Sequence, residues 1–206
     1  MQLSRPYLYA YALISLHVGV YAATSEYAPL SLRRTVTQQT TLSLSNFRKR
    51  PQTLLTHAIS HASPFHLLIN SYMCYQYLPP LIYSLGVSRF ALLYTGSAAA
   101  GGALQLTYNS TSYKRREVRS VGASGALSGL LVYEAFLFPR STILLFGVVP
   151  LQNSTFAGIF FLGNIYGLYA DSMPGSTSDG FAYASHIGGA LFGLAFAVAR
   201  RGRILR

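Results

Sequence analysis

Two short stretches contain residues suited to acyl chemistry: Gly122-Ala123-Ser124-Gly125-Ala126 and Ser185-His186-Ile187-Gly188-Gly189. A serine hydroxyl is a weak nucleophile until a base takes its proton, and an imidazole is the commonest base. Glycine close on both sides of Ser124 leaves its hydroxyl uncovered and allows an exposed backbone N–H at a helix start. Each half also has an ordinary reading. Small residues produce G-x-S-G in closely packed helices, and a lone histidine in an apolar segment is usually a satisfied core residue. Together they make a Ser124–His186 dyad, provided that the two segments pack side by side. Gly125 with Gly129 and Gly189 with Gly193 have the small-xxx-small spacing that lets backbones approach, which predicts that contact.

Upstream lies Thr56-His57-Ala-Ile-Ser-His61-Ala-Ser63-Pro-Phe-His66-Leu-Leu-Ile-Asn70. His66 and Asn70 are four residues apart and share one side of a helix. Hydrogen-bond donors on one face are what an oxyanion needs when a carbonyl becomes tetrahedral; they also serve as interhelical ties. His57 and His61 repeat the four-residue spacing, which could bind a metal on one helical face. No glutamate follows His57 in the zinc-protease position and no third ligand stands out, so helix-entry hydrogen bonding is the competing role. The acids offer no third member of a triad. Glu26, Glu117 and Glu134 lie away from where one would orient His186, and Asp171 and Asp179 sit in a connection. The expectation is a dyad whose imidazole is oriented by packing and hydrogen bonds, with no metal and no cofactor.

The elements that must position these residues look membrane-embedded. Only 10% of the 206 residues are charged and 51% are apolar, against about a quarter charged in ordinary soluble domains. Sixteen Lys and Arg against five Asp and Glu give +11. The basic residues cluster at Arg33, Arg34, Arg48 to Arg50, Lys114 to Arg116 with Arg119, and Arg200 to Arg206, between or beyond apolar runs. That placement suits head-group contact better than a nucleic-acid groove, for which no recognition motif is present. The single cysteine, Cys74, allows no internal disulfide and reads as core. Six apolar windows approach the ~20 residues of a span: 6–24, 64–84, 86–107, 122–138, 152–170 and 181–199. They form one membrane domain over 1–206, all-α, without repeat or linker. The first window could instead be a cleavable signal, with Arg5 before it and Ala22-Ala23 after it, but it exceeds the usual signal core of about 7–15 residues. The connection over 25–60 is long and polar, and a loop of that length is usually functional or partly structured. Ile143 to Val149 is apolar but too short to cross, with Pro150 ending it, and 171–180 has a mobile-loop composition.

The motifs T-H-A-x-x-H-x-S-x-x-H-x-x-x-N, G-A-S-G-A and A-S-H-x-G-G-A-x-x-G, in this order and each at a span, resemble the rhomboid intramembrane serine proteases. The resemblance covers about 54–199 and is most similar to the mitochondrial, presenilin-associated rhomboid-like branch. It implies a bundle of six transmembrane helices around a water-filled cavity. Ser124 is then the nucleophile at the recessed start of the fourth helix and His186 the general base and later acid. His66, Asn70 and the Ser124 N–H form the oxyanion hole, while Gly122, Gly125 and Gly189 shape the site. The substrates implied are transmembrane segments of other proteins, and the location implied is the mitochondrial inner membrane. Two positions depart from the family pattern. Ser128 stands where many members stack an aromatic on the imidazole, and the chain has no Trp for the Trp-Arg pair of the first connection. An additional N-terminal helix and presequence, common in the mitochondrial branch, are not visible.

An active protease is the leading expectation. The alternative is a non-proteolytic subunit of a larger membrane complex or translocase that binds partner helices, with lipids around it in either case. Presence of Ser124, His186, His66 and Asn70 together favours activity. Transport is disfavoured, since only Glu134 is an acid inside a window.

Overall fold

The computed structural model describes residues 5–111, 118–145, 147–173, 176 and 181–204. Lys114 to Arg116, Glu117, Asp179 and most of the 171–180 connection lie outside the described residues. Helices dominate. Five long ones are α1 (Arg5–Thr24), α5 (Pro64–Leu85), α6 (Val87–Thr111), α8 (Asn153–Ser172) and α9 (Tyr183–Ile204). The shorter α7 (Ser124–Leu137) is enclosed by its neighbours, packing mainly on α9 and α6. These six coincide with the apolar windows. Among the described residues, however, no helix is long and apolar enough to cross a membrane. α7 has 14 residues because Gly122 and Ala123 are spent on its entry turn, and the longer helices dilute their aliphatics with Gly, Ser, Thr, Tyr and Asn.

Local chemistry sets the helix ends. Ser63 caps α5 by accepting a hydrogen bond from the His66 N–H, Pro64 occupies the first turn where no donor is needed, and Gly86 at φ 74° closes the helix. The backbone at Gly122 has φ 126°, a conformation that L side chains rarely adopt, and it turns the chain into α7.

The first connection is largely helical, containing α2 (Leu30–Thr40), α3 (Leu44–Lys49), α4 (Thr53–Thr56) and a 3₁₀ turn over His57–Ile59. Between α3 and α2, Leu42 forms a two-way antiparallel bridge with Ser120, at 3.0 and 2.7 Å. The segment after α7 is a hairpin of β1 (Thr142–Leu145) and β2 (Val149–Gln152), turning at Gly147 with φ 77°. Pro150, expected to end that apolar segment, lies inside β2 opposite Leu144; a two-stranded ribbon tolerates it because one edge makes no ladder bonds.

The expected contact between the fourth and sixth windows is present as the α7–α9 seam. A Cβ on Gly189 would overlap the Gly125 carbonyl, and one on Gly193 would overlap the Gly129 carbonyl. The two backbones therefore touch. Around the seam, Tyr77, Leu78, Leu81, Leu93, Leu130 and Leu131 are almost fully buried and form the main core.

Candidate active site

Ser124 is the first residue of α7 and His186 lies one turn into α9. The glycine seam brings them together: the Ser124 hydroxyl is 2.8 Å from His186 Nε2. On the other side of the ring, His186 Nδ1 is 2.6 Å from Asn164 Oδ1, on α8. Asn164 is buried, and its Nδ2 donates to the Phe160 carbonyl at 2.7 Å. The Phe160 ring lies against the His186 imidazole, with centroids 5.5 Å apart and planes tilted by 39°.

Ser128 makes no contact of that kind. Its hydroxyl donates to the Ser124 carbonyl at 2.6 Å, one turn back along α7, and an aromatic from α8 occupies the face of the imidazole instead. The expectation that packing and hydrogen bonds orient His186 thus meets two particular residues, Asn164 and Phe160, which sequence reasoning missed. An amide in the middle of the 152–170 window was the available signal, since a polar group in an apolar span calls for a partner.

Gly122 sits between Ser124 and His66. The point where its Cβ would stand is 2.7 Å from His66 Nε2 and 3.6 Å from the Ser124 hydroxyl oxygen. Any side chain there would fill the space between them. His66 Nδ1 accepts from the Ala62 N–H at 3.4 Å, which leaves Nε2 as the protonated nitrogen, directed at that space. Asn70 is buried on the same face of α5, with one amide hydrogen donated to the His66 carbonyl at 2.8 Å. Gly125 presses against Ser185, whose hydroxyl would lie 2.6 Å from a Cβ at 125. Ser124, His186, His66 and Asn70 all line one cavity of about 570 Å³, walled by α5, α7, α8 and the hairpin and otherwise largely apolar. Tyr72 reaches across its rim to donate to the Leu144 carbonyl.

His57 and His61 do not form a pair. The helical run stops at Ile59, so the four-residue spacing no longer puts them on one face. The His57 Nδ1–H donates to the Thr53 carbonyl at 3.1 Å, its own carbonyl accepts from the Gly122 N–H at 2.9 Å, and burial lowers its pKa to about 4. The His61 ring stands between His17 and His66, with centroids 4.9 and 5.2 Å away; burial, then the neighbouring His17 and His66, lower its pKa to about 3. Among the described residues no group of three or more His, Cys, Asp or Glu side chains is arranged to hold a metal ion. Of the described acids, Asp171 accepts from the Tyr108 hydroxyl at 2.7 Å, joining α8 to α6, and Glu134 is half-buried late in α7.

Comparison with known proteins gives this arrangement a family. The chain is 34% identical to Rhomboid protein 1, mitochondrial, of Saccharomyces cerevisiae over 145 residues, which cover 69% of this chain and 40% of that protein. It is 29% identical to RHOMBOID-like protein 12, mitochondrial, of Arabidopsis thaliana, covering 79% of this chain and 51% of the relative. It is likewise 29% identical to Presenilin-associated rhomboid-like protein A, mitochondrial, of Danio rerio, covering 68% and 35%. The chain thus spans about half or less of the length of these relatives. The rhomboid domain model matches residues 48–203, which include every residue of the site described above. The chain belongs to the rhomboid family.

Proposed function

We propose that this rhomboid is an intramembrane serine endopeptidase that cleaves transmembrane segments of other proteins with a Ser124–His186 dyad. The observation that carries the reading is the 2.8 Å contact between the Ser124 hydroxyl and His186 Nε2, facing a largely apolar cavity. The Ser124 oxygen attacks the scissile carbonyl carbon while His186 Nε2 takes the hydroxyl proton. The carbonyl oxygen then carries the charge. His66 Nε2–H and the remaining Asn70 amide hydrogen are on the side of α5 that faces it, and the first-turn N–H of Ser124 has no acceptor within its own helix. Collapse of the tetrahedral species returns the proton from His186 to the leaving amine, and water repeats the cycle to free Ser124.

The surface supports an apolar surrounding. Leu8, Leu16, Leu68, Leu92, Ile159 and Leu162 are exposed on the outer faces of the long helices, which suits lipid rather than water. A bundle of six helices crossing the bilayer fits these faces and the confinement of most basic residues to helix ends and connections. The names of the three relatives place them in mitochondria, and we assign this chain to a mitochondrial membrane, the inner membrane by its likeness to the presenilin-associated branch.

A fluorophosphonate probe tests the reading directly. The detergent-solubilised wild type should become covalently labelled, with labelling abolished by Ser124→Ala and lowered by at least about 100-fold by His186→Ala. A folded wild type that takes no label contradicts hydrolysis and favours a subunit that only holds partner helices.

A further inference from the structure

We propose that Asn164 is a positioning residue that completes a Ser124–His186–Asn164 relay by holding the proton of the imidazole on Nδ1. The proposal deepens the hydrolase reading and rests on it. An imidazole can accept the serine proton at Nε2 only in the tautomer that carries its hydrogen on Nδ1. In the opposite tautomer the base is unavailable. The choice therefore belongs to whatever faces Nδ1, and among the described residues the group hydrogen-bonded there is the Asn164 side chain, at 2.6 Å.

An amide could face the ring with either end, and the backbone of α8 decides which. The other end of the Asn164 side chain is 2.7 Å from the Phe160 carbonyl, which can only accept. Only Nδ2 can donate to that carbonyl, so Oδ1 is turned toward His186, and a carbonyl oxygen facing Nδ1 requires a hydrogen on Nδ1. The orientation is thus transmitted from the Phe160 carbonyl through the amide to the imidazole, leaving the Nε2 lone pair for the Ser124 hydroxyl, 2.8 Å away. Burial of Asn164 and His186 keeps competing water from either bond. Phe160, one turn before Asn164 on the same helix, supports the ring face, so a single turn of α8 fixes both the tautomer and the plane of the base. A neutral amide does this without the charge that a carboxylate would have to bury.

Two measurements test the assignment, and one does not depend on turnover. In protein labelled with ¹⁵N at its five histidines, long-range ¹H–¹⁵N correlation in micelles should show His186, identified by its loss in His186→Gln, with the hydrogen on Nδ1. Asn164→Leu, which keeps the volume and removes the acceptor, should shift it toward Nε2. The same variant should lose about 10- to 100-fold in fluorophosphonate labelling rate with half-saturating probe concentration unchanged. Asn164→Asp, which restores an acceptor at the same place, should recover most of the rate and move the pH midpoint of labelling upward, because a carboxylate favours the imidazolium. Melting in micelles verifies folding, and Asn164→Ala substitutes for Leu if that variant does not fold. A wild-type Nε2 hydrogen, wild-type labelling in the Leu variant, or an Asp variant no faster than Leu would each overturn the proposal. An Nδ1 hydrogen that depends on Asn164 in a protein that takes no label would leave the relay standing and refute hydrolysis instead.

Discussion

Of the three helices packed on α9, α6, α7 and α8, the last two hold it by different means. Against α7, glycine at 125, 129, 189 and 193 lets main chain meet main chain, so the separation of Ser124 from His186 is set by atoms that have no rotamers to change. Against α8, contact is made by side chains, chiefly Asn164 and Phe160, while Ile159, Leu162 and Tyr166 of that helix face outward. Spacing of the segments that carry Ser124 and His186 is therefore set by main chain, and orientation of the imidazole by side chains. Spacing is thereby placed on the more rigid of the two contacts.

That contrast can be broken most completely at Gly189. A methyl there overlaps the Gly125 carbonyl, and a backbone oxygen cannot swing aside, so Gly189→Ala should lower stability by about 1–3 kcal/mol or more and remove probe labelling altogether. Thermal melting together with labelling reads both. A variant with wild-type melting and labelling would show that the helices are not in backbone contact. At the α8 side the effect should be smaller. Phe160→Leu keeps an apolar group beside the ring but loses the aromatic contact, and a loss of about 0.5–1.5 kcal/mol corresponds to a labelling rate down by roughly 2- to 10-fold with little change in melting. A drop as large as that of Gly189→Ala would erase the distinction between the two contacts.

The smallest effect should come from the connection that borders neither seam. His61 is buried and its pKa is lowered to about 3 from an ordinary 6.5, so between these values the unfolded chain binds a proton that the folded chain refuses. Stability should consequently fall as pH drops below about 6.5 and be unaffected above it. His57, lowered to about 4, contributes with the same sign. His61→Leu should therefore flatten the decline in melting temperature between pH 7.5 and pH 5 by a few degrees, while labelling at pH 7.5 stays near wild type. An unchanged slope would mean that His61 takes up its proton without unfolding.

Much of this was legible in the residues. The spacing of Gly125, Gly129, Gly189 and Gly193 determines which helices can touch, because absence of a side chain is itself the signal, and the Ser124–His186 juxtaposition follows from it. The four-residue interval between His66 and Asn70 likewise survives because α5 is continuous through both. The same interval between His57 and His61 does not put the pair on one face, since the helical run stops at Ile59. Ile143 to Val149 was read as a short apolar segment because its hairpin turns on one glycine and keeps Pro150 on a strand. Asn164 and Phe160 were hidden for another reason. Neither belongs to a motif, and their roles exist only once α8 is set against α9.

The bridge between Leu42 and Ser120, with the bond from the Gly122 N–H to the His57 carbonyl, ties the first connection to the turn ahead of α7. Leu42 lies 78 residues before Ser120 and His57 lies 65 before Gly122, so each bond closes a long loop at a cost in chain entropy. α5 and α6 lie inside both loops, and packing them side by side is what brings the first connection to the serine turn. A shorter path between these two stretches would lower that cost without touching either bond.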